Sequence, residues 1–396
     1  MQAIRKQLKK IKILYEINTF LKSKIQEKRA EKELNYYRKK VEGRLDENGD
    51  ISNILKKKFD GRKITVKPKQ KGQLHIFVPY YLFNWESVIP KTLRLFGKVA
   101  EFDWEKRGFD ERSADWAAQR GKMNAEMLQV YFEAHKIQPI DAVVGYLSGQ
   151  NTSPEILRIM ANAGSIIFNF CWDDKLSFRG RKLGGRWTGV AAIASAVDLN
   201  LTNTSDSIVK YTGEGGIAVF WPEGADPDIH KPYDIPFEYD VSFVGQKYGW
   251  RPRFIKKLRK YGINVTTFGS GWENGPLSEK EMVRVYSKSR INLGFSGVGF
   301  SRKLMCLKGR DFEVPMSGGL YLTQDNPELS LVYEIGKEIV TYKDEKDCAE
   351  KIKWLLTDQE NADKIRKAGR ERALREHTWS KRFEKIFVLS GLMDTN

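Results

Sequence analysis

The sequence predicts an α/β protein built from two parallel-sheet units, with a basic helical arm in front of them. Short apolar runs that suit buried strands alternate with longer amphipathic stretches that suit helices, which is the pattern of a parallel sheet covered on both faces. The alternation stops once, at residues 221–237, where four prolines disfavour both helix and sheet. A chain of 396 residues is also long for a single core. We therefore expect an arm, two units and a terminal helix, with these bounds: 1–70, 71–235, 236–378 and 379–396.

The composition excludes several classes of protein. With 41% hydrophobic and 12% aromatic residues the chain can fill globular cores, and no run of 18 apolar residues predicts a membrane span. Cys171, Cys306 and Cys348 are scattered, so neither a zinc site nor a disulfide framework is indicated. The N-terminus is charged from Arg5 onward and lacks the apolar segment of a secretory signal. These features favour the cytoplasm.

Basic charge is concentrated in the arm. Residues 1–70 contain 21 Lys and Arg against 9 Asp and Glu, which is most of the formal net charge of +17. Apolar residues recur in the arm at helical spacing, with lysines and arginines around them. This apolar stripe consists of Ile4, Leu8, Ile11, Leu14, Ile17 and Leu21.

Two interpretations of this helix stay open. A cationic amphipathic helix over residues 1–24 suits an anionic membrane surface, since each nearby Lys or Arg adds roughly 1 kcal/mol of attraction. The same stripe would suit docking on the protein's own body or on a second subunit. Nucleic acid is not expected as a partner, because the arm lacks interleaved aromatic residues and any recognised reading module.

The first unit is predicted to gather three loops at one edge of its sheet. Ligands of parallel sheets bind beyond the carboxyl ends of the strands. That rule selects Asn84 and Trp85 after the first strand, Gln150 after the third, and Asp173 with Asp174 after the fourth. The predicted strands are 74–80, 99–103, 141–147, 165–171, 197–203 and 217–221.

Asp173 and Asp174 are the candidate acids of this unit. They stand where a carboxylate would hold an acceptor hydroxyl or take its proton. The alternative is an Asp-rich turn that caps the next segment.

The second unit repeats the alternation and carries a concentrated set of charges. Its first strand ends at Gly245, whose missing side chain would let a phosphate approach the backbone. A helix opening near Lys308 places Glu313 among Lys303, Lys308 and Arg310. Cations and helix-terminal amides suit a diphosphate, and a carboxylate suits the diol of a ribose. An ordinary β-α-β crossover with a solvated basic start is the alternative.

The segment KGRDFEVPMSGGLYLT (308–323) resembles the donor-site signature of GT-B glycosyltransferases, in particular the group of CgeB-type proteins. Further matches in the same order are WPEGADPDIHKP (221–232), FVGQKYGWRPRFIKKL (243–258) and GSGW (269–272). The resemblance implies a GT-B fold, in which two Rossmann-like domains face each other across a cleft. It also implies a nucleotide-diphosphate sugar as co-substrate, with neither a metal nor a separate cofactor.

The resemblance assigns roles to residues of the second unit. Glu313 takes the ribose hydroxyls, and Lys308 with Lys303 or Arg310 stabilises the leaving diphosphate. The expected donor-binding set is completed by Gly245, Gly269, Trp272, Ser296, Gly318 and Gly319. The acceptor would be a glycan or a lipid-linked glycan in the assembly of a cell-surface polysaccharide, and the protein would lie in the cytoplasm or at the inner face of the membrane.

One departure leaves the stereochemistry open. Many retaining GT-B enzymes carry an E-x7-E pair; Glu313 matches the second acid, but the first position is Met305. An inverting enzyme would need a general base, for which Asp173 is the first candidate and Asp174 the second. Two other functions also stay open: a nucleotide-sugar epimerase on the same plan, and a non-catalytic scaffold with a vestigial cleft.

Overall fold

A computed structural model of the chain confirms the α/β class and its two parallel sheets. The structure describes residues 2–43, 50–81, 88–183 and 185–394, with side chains from residue 16 onward. Its helices are α1 Gln2–Lys40, α2 Ile51–Gly61, α3 Ile89–Leu93, α4 Trp116–Ile137, α5 Pro154–Asn162, α6 Asp174–Ser177, α7 Ile208–Gly213, α8 Arg251–Leu258, α9 Glu279–Lys288, α10 Gly309–Met316, α11 Glu345–Thr357, α12 Gln359–Glu376 and α13 Trp379–Leu389. Its strands are β1 Leu74–Tyr80, β2 Gly97–Asp103, β3 Ala142–Gly145, β4 Ile166–Cys171, β5 Lys182–Leu183, β6 Arg186–Trp187, β7 Leu199–Thr202, β8 Ala218–Phe220, β9 Tyr239–Val244, β10 Thr266–Phe268, β11 Ser289–Leu293, β12 Tyr321–Gln324 and β13 Val340–Tyr342.

The chain divides into two units, each with one large parallel sheet. The six-stranded unit comprises residues 33–222 and 379–396, and the five-stranded unit comprises residues 1–32 and 223–378. This division differs from the predicted one at the N-terminus, because the expected arm is shared between the two units. Helix α1 begins in the five-stranded unit and ends in the six-stranded unit.

The central strands of the six-stranded unit are buried along their whole length. Strand β4, with the sequence IIFNFC, is buried at every position, as expected for the middle of a sheet covered on both faces. Phe77, Met127 and Tyr131 belong to the core on one side of this sheet. Helix α13 packs in the same unit, where the ring of Phe383 lies 5.4 Å from that of Trp221.

The five-stranded unit owes its helices to clear local signals. Helix α9 begins with a capping box, in which the Ser278 hydroxyl accepts from the Glu281 amide and the Glu281 carboxylate accepts from the Ser278 amide. Proline at the second position of α8 fits the first turn, where no amide donor is needed. The core centres on Phe254 and Phe295, whose rings meet edge to face at 5.3 Å.

Each sheet has one place where the order of strands changes direction. In the six-stranded sheet, ordered β2-β1-β3-β4-β7-β8, it lies between β1 and β3. In the five-stranded sheet, ordered β10-β9-β11-β12-β13, it lies between β9 and β11. Crevices at the carboxyl ends of such strands are the usual ligand sites of parallel sheets.

Helix α1 presents apolar side chains to solvent. Ile17, Phe20, Leu21 and Ile25 are between 49% and 60% exposed. Among the described residues, no helix has both the length and the apolar content needed to cross a membrane. The other members of the predicted stripe, which lie outside the described side chains, are Ile4, Leu8, Ile11 and Leu14.

Candidate functional site

Two glycines bring strand ends of the five-stranded sheet into contact. The Gly245 amide, just after β9, donates to the carbonyl of Phe268 at 2.8 Å. A Cβ on Gly269 would lie 2.4 Å from the Gly245 carbonyl oxygen, and Gly269 has a φ of +119°. Both facts require glycine at position 269, and the result is a wall of bare backbone where β9 and β10 end.

Trp272 closes one side of this wall. Its indole N–H donates to the carbonyl of Gly245 at 2.8 Å, and its ring meets Phe243 edge to face at 6.3 Å. The ammonium of Lys247 lies 5.2 Å from the centre of the indole. The indole is therefore fixed beside Gly245, and both residues belong to the predicted donor-binding set.

Two arginines meet beside Gly245. The Nη1 atom of Arg310 lies 3.0 Å from the position that a Gly245 Cβ would occupy. Arg251, only 3% exposed, donates to the carbonyl of Gln246 at 3.1 Å and to the hydroxyl of Tyr248 at 2.9 Å. Burial, together with the positive charge of Arg310, lowers the pKa of Arg251 to about 10.

Within the described part of the chain these arginines lack a direct ion pair, although, against the opposing effect of burial, Tyr321, Tyr286, Glu313 and Asp311 raise the pKa of Arg310. The Nε–H group of each arginine is also buried without a hydrogen-bond partner among the described residues. Buried donors that lack partners are rare in folded proteins. Two like charges that lose water are unfavourable unless an anion neutralises them. The pair of Arg251 and Arg310 is therefore suited to binding an anion.

Lys308 stands at the start of α10, next to this pair. Its ammonium donates to the sulfur of Cys306 at 2.9 Å. Its backbone amide donates to Asp311 at 2.7 Å, and Asp311 also accepts from the Tyr321 hydroxyl at 2.7 Å. Burial raises the pKa of Asp311 to about 6. Asp311 thus fixes the start of the helix, and the predicted cation Lys308 is held there with it.

Glu313 lies opposite a second carboxylate that the sequence did not single out. A Cβ on Gly309 would lie 2.7 Å from Oε1 of Glu313 and 2.8 Å from Oε2 of Glu223, so the two carboxylates flank this glycine. Burial and the charge of Glu313 raise the pKa of Glu223 to about 8. At neutral pH the protonated form of Glu223 therefore predominates. The Tyr286 hydroxyl lies 3.5 Å from Glu313.

The remaining predicted donor residues have supporting or different positions. Ser317 donates to the carbonyl of Glu313 through its amide and hydroxyl, and Gly318 follows with a φ of +73°. Gly319 is packed against Asn292. Ser296 is buried and donates to the backbone of the neighbouring strand, which is a packing role. Lys303 is exposed and lines a separate cavity.

The structure thus gathers most of the predicted donor set and adds two residues. Gly245, Gly269, Trp272 and Arg310 are in direct contact or share a neighbour, and Lys308 and Glu313 lie on the same short helix. Arg251 and Glu223 were missed. Each lies in a segment that carried the resemblance, but nothing in the spacing of the sequence says which cation or acid turns toward Gly309 or Arg310.

The six-stranded unit has a cavity of about 460 Å³ at its own switch point. The cavity opens at the ends of β1 and β3 and includes the predicted residues Gln150 and Asp173. Its walls are rich in aromatic rings, and the planes of two of them, Tyr81 and Trp104, are stacked at 6.0 Å. The aromatic residues that line it are Tyr80, Tyr81, Trp104, Tyr146 and Phe170.

Two carboxylates face this cavity. Asp173 is exposed and accepts a hydrogen bond from the Tyr146 hydroxyl at 2.7 Å. Glu111 accepts from the side-chain amide of Asn151 at 3.2 Å. Burial raises the pKa of Glu111, against the opposing effect of that hydrogen bond. Glu111 is a further acid that the sequence did not indicate.

Asp174 has a different environment from its neighbour. It is fully buried, and its oxygens accept from Thr204 at 2.8 Å and from Tyr211 at 2.9 Å. Burial raises the pKa of this carboxyl. It does not line the cavity, because it points into the protein at the start of α6, so its environment favours a structural role over that of a second base. Asn84 and Trp85 lie outside the described residues.

No group of three or more metal-binding side chains occurs among the described residues. A family model described as glycosyl transferase-like matches residues 251–387, from the start of α8 into α13. No sequence among the curated proteins matches the chain.

Solved structures share the fold at low sequence identity. Sucrose-phosphate synthase from Thermosynechococcus elongatus superposes with a TM-score of 0.57 at 10% identity, over 80% of this chain and 98% of that one. HepE of Anabaena, solved with UDP and glucose, gives 0.54 at 13% identity, over 79% and 98%. A glycosyltransferase from Rickettsia africae gives 0.54 at 10% identity, over 83% and 100%. The family match and the shared fold confirm the expected likeness to GT-B glycosyltransferases.

Proposed function

We infer that this chain is a GT-B glycosyltransferase that moves a sugar from a nucleotide-diphosphate sugar to an acceptor hydroxyl. The observation that carries this inference is the pair of buried, ion-pair-free guanidiniums, Arg251 and Arg310, beside the bare backbone of Gly245. Both arginines lie within residues 251–387, the segment that matches the glycosyl transferase-like family. A diphosphate is the anion that such a site suits best, since it offers several oxygens to forked donors.

We propose that the five-stranded unit binds the donor. Arg251, Arg310 and Lys308 stabilise the negative charge that develops on the leaving diphosphate. Glu313 accepts hydrogen bonds from the ribose diol, and the indole of Trp272 borders the nucleobase. HepE is solved with UDP, so UDP-sugars are the first donors to test.

Glu223 is proposed as the acid partner of Glu313. The sequence has Met305 where an E-x7-E pattern would have its first acid. Glu223 brings a second carboxyl to Glu313 from a distant segment, and it does so in the protonated form. A neutral Glu223 can donate to a sugar or ribose oxygen without adding negative charge near the diphosphate.

We propose that the six-stranded unit binds the acceptor in its aromatic cavity. Aromatic faces with a few polar groups suit the apolar faces and hydroxyls of a sugar, and so a glycan or lipid-linked acceptor. Asp173, oriented by Tyr146, is the candidate base for the attacking hydroxyl. Gln150, at the same edge, is a candidate for holding the acceptor.

Helix α1, which precedes both sheets in the chain, has features that suit binding to an anionic membrane surface. The exposed apolar residues of α1 lie among lysines, which is the pattern of a helix that rests in the interface of a bilayer. We propose peripheral binding at the cytoplasmic face, where a lipid-linked acceptor would be presented.

A thermal-shift screen of the full chain against UDP, GDP, dTDP and CMP, and against their sugars, tests the donor proposal. One diphosphate is expected to raise the Tm by several degrees, because a ligand at 100 times its Kd adds about 2.7 kcal/mol of stability. The shift should disappear in Arg310→Ala. If no nucleotide or nucleotide sugar shifts the Tm of the wild-type chain, the transferase proposal is wrong.

A further inference from the structure

A second cavity, of about 490 Å³, lies in the five-stranded unit between α1 and the start of α8. Its size falls within the range of ligand pockets, roughly 300–1,000 Å³. It is distinct from the arginine pair, since neither Arg251 nor Arg310 lines it.

Four aromatic rings contribute to the walls of this cavity. Trp250 and Phe254 are buried and form part of the floor, and Phe300 and Phe20 also line it. Phe20 is 60% exposed, so the cavity opens toward solvent beside it. An aromatic floor under an open mouth suits an apolar chain that enters from outside.

Helix α1 is fixed to the loop that forms one wall. The side-chain oxygen of Gln26 accepts from the Phe300 amide at 2.8 Å. The carboxylate of Glu27 accepts from the buried Ser301 hydroxyl at 2.7 Å. These bonds join described side chains of α1 to the loop after β11, so the cavity is a built feature of the unit.

Positive charge exceeds negative charge around the cavity. Glu345 accepts from Lys257 at 3.1 Å and from Arg302 at 3.0 Å, and Lys303 is exposed at the rim. Three carboxylates line the cavity, namely Glu16, Glu27 and Glu345. Six cations line it, namely Lys24, Arg253, Lys256, Lys257, Arg302 and Lys303. The excess of positive charge matches an anionic head group.

The exposed face of α1 continues from the mouth. Ile17, Leu21 and Ile25 flank Phe20 at helical spacing, and each is about half exposed. A helix that rests on a bilayer by this face would hold the cavity mouth at the level of the lipid head groups.

The guanidinium of Arg302 lies over the rings of Trp250 and Phe254, at 4.7 and 5.3 Å from their centres. We propose that this cavity binds one anionic phospholipid, with the phosphate among Arg302 and the other cations and an acyl chain against Phe20 at the mouth. The proposal does not depend on the transferase activity. The peripheral membrane proposal above requires only a general attraction of α1 to a membrane surface. The present proposal adds a defined site that binds one lipid per chain.

Titration calorimetry of the full chain with soluble dihexanoyl phosphatidylglycerol tests the proposal. We expect saturable binding of one lipid per chain, at least about 10-fold tighter than dihexanoyl phosphatidylcholine, because the rim carries a net positive charge. Inorganic phosphate, which has no chain, should not compete at equal concentration. Phe20→Asp and Lys303→Glu should each weaken binding by about 10-fold or more.

Matched controls are Phe132→Asp, which changes an exposed ring of the other unit, and Lys367→Glu, which changes an exposed lysine on α12. Both should bind the lipid as the wild type does. Equal affinity for the two lipids, or full competition by phosphate, would overturn the proposal. A second copy of the chain would be the occupant instead if the wild type bound no lipid and Phe20→Asp had a lower molar mass than the wild type by light scattering. That result would also overturn the proposal.

Vesicle sedimentation separates this proposal from the broader membrane proposal. If Leu21→Asp lowers partition into phosphatidylglycerol vesicles but the soluble lipid shows no saturable site, the helix binds the surface and the cavity proposal fails alone. If partition is unchanged in Leu21→Asp while the soluble lipid binds one to one, the cavity proposal stands and the surface proposal fails.

Discussion

The two sheets of this protein have the same kind of switch point but opposite chemistry. At the end of β9 the five-stranded sheet offers bare backbone and two buried guanidiniums. At the end of β1 the six-stranded sheet offers stacked aromatic rings and two carboxylates. Topology therefore supplies a crevice in each unit, and the side chains alone decide which ligand the crevice suits.

The difference suggests how the chemistry is divided. An anionic donor suits the cationic site, and its leaving group needs charge stabilisation there. A neutral, ring-shaped acceptor suits the aromatic site, where a carboxylate can take a proton. Mutations in one unit should therefore affect one half of the reaction and leave the other half intact.

The largest effect is expected from Asp173→Asn. Turnover should fall by about 100-fold or more, since general base catalysis contributes that much, while the nucleotide Kd stays unchanged. Steady-state kinetics and calorimetry on the same preparation measure both. Glu133→Gln, an exposed acid on α4, is the control. An equal loss of nucleotide binding in Asp173→Asn would remove the proposed division between the units.

Arg310→Ala should weaken nucleotide binding by about 100-fold, since a hydrogen bond to a charged group contributes about 1.5–3 kcal/mol. The free energy of unfolding should change less than binding, because Arg251 repels the charge of Arg310 while Glu313 and Asp311 attract it. Calorimetry and urea unfolding measure the two effects. Arg259→Ala, an exposed arginine that follows α8, should change neither. Loss of stability with intact binding would instead assign Arg310 to packing.

Glu313→Ala should remove the preference for a ribonucleotide over its 2′-deoxy analogue. We expect the wild type to prefer the ribonucleotide by about 10-fold, the worth of one hydrogen bond to a carboxylate, and the variant to bind both alike. Competition binding of the two nucleotides measures this ratio. Glu334→Ala, at an exposed position, should keep the preference. A preference that survives in Glu313→Ala would place the ribose elsewhere.

The smallest effect is expected from Glu223→Gln and depends on pH. The pKa of Glu223 is about 8 in the folded chain against 4.5 ordinarily, so the unfolded chain binds fewer protons between these values. Folded wild type therefore loses stability as pH rises from about 4.5 to about 8. Glutamine at position 223 cannot ionise in this pH range. The free energy of unfolding of the variant should therefore exceed that of the wild type by about 1 kcal/mol at pH 8 and by less at pH 5, allowing for the partial exposure of Glu223.

Urea unfolding at several pH values measures this difference. Glu350→Gln, on an exposed face of α11, should follow the wild type at each pH. The nucleotide Kd of the wild type should also rise a few-fold above pH 8, because ionised Glu223 repels the diphosphate, and Glu223→Gln should not show that rise. A stability difference that is constant with pH would mean that Glu223 is already ionised.

The donor side was easier to predict than the acceptor side. Gly245, Arg310 and Glu313 stand in segments of distinctive sequence; Gly245 follows β9, and α10, which bears the other two, connects β11 to β12 of the same sheet. Asp173 and Asp174 are adjacent and chemically identical, so no pattern could tell which one is exposed. The hydrogen bonds of Thr204 and Tyr211 decide it, and these residues come from a later part of the chain.

The sequence by itself determined the alternation of strands and helices, the parallel sheets, the proline-rich break and the helix that bears Glu313, because local periodicity and turn residues suffice for these. Only the tertiary structure decided that Glu223 reaches Glu313, that Arg251 joins Arg310 and that α1 builds a cavity with α8. These pairs are far apart in the chain or turn toward each other by side-chain packing. The burial that shifts the pKa of Glu223 and Arg251 exists only once the sheets have formed.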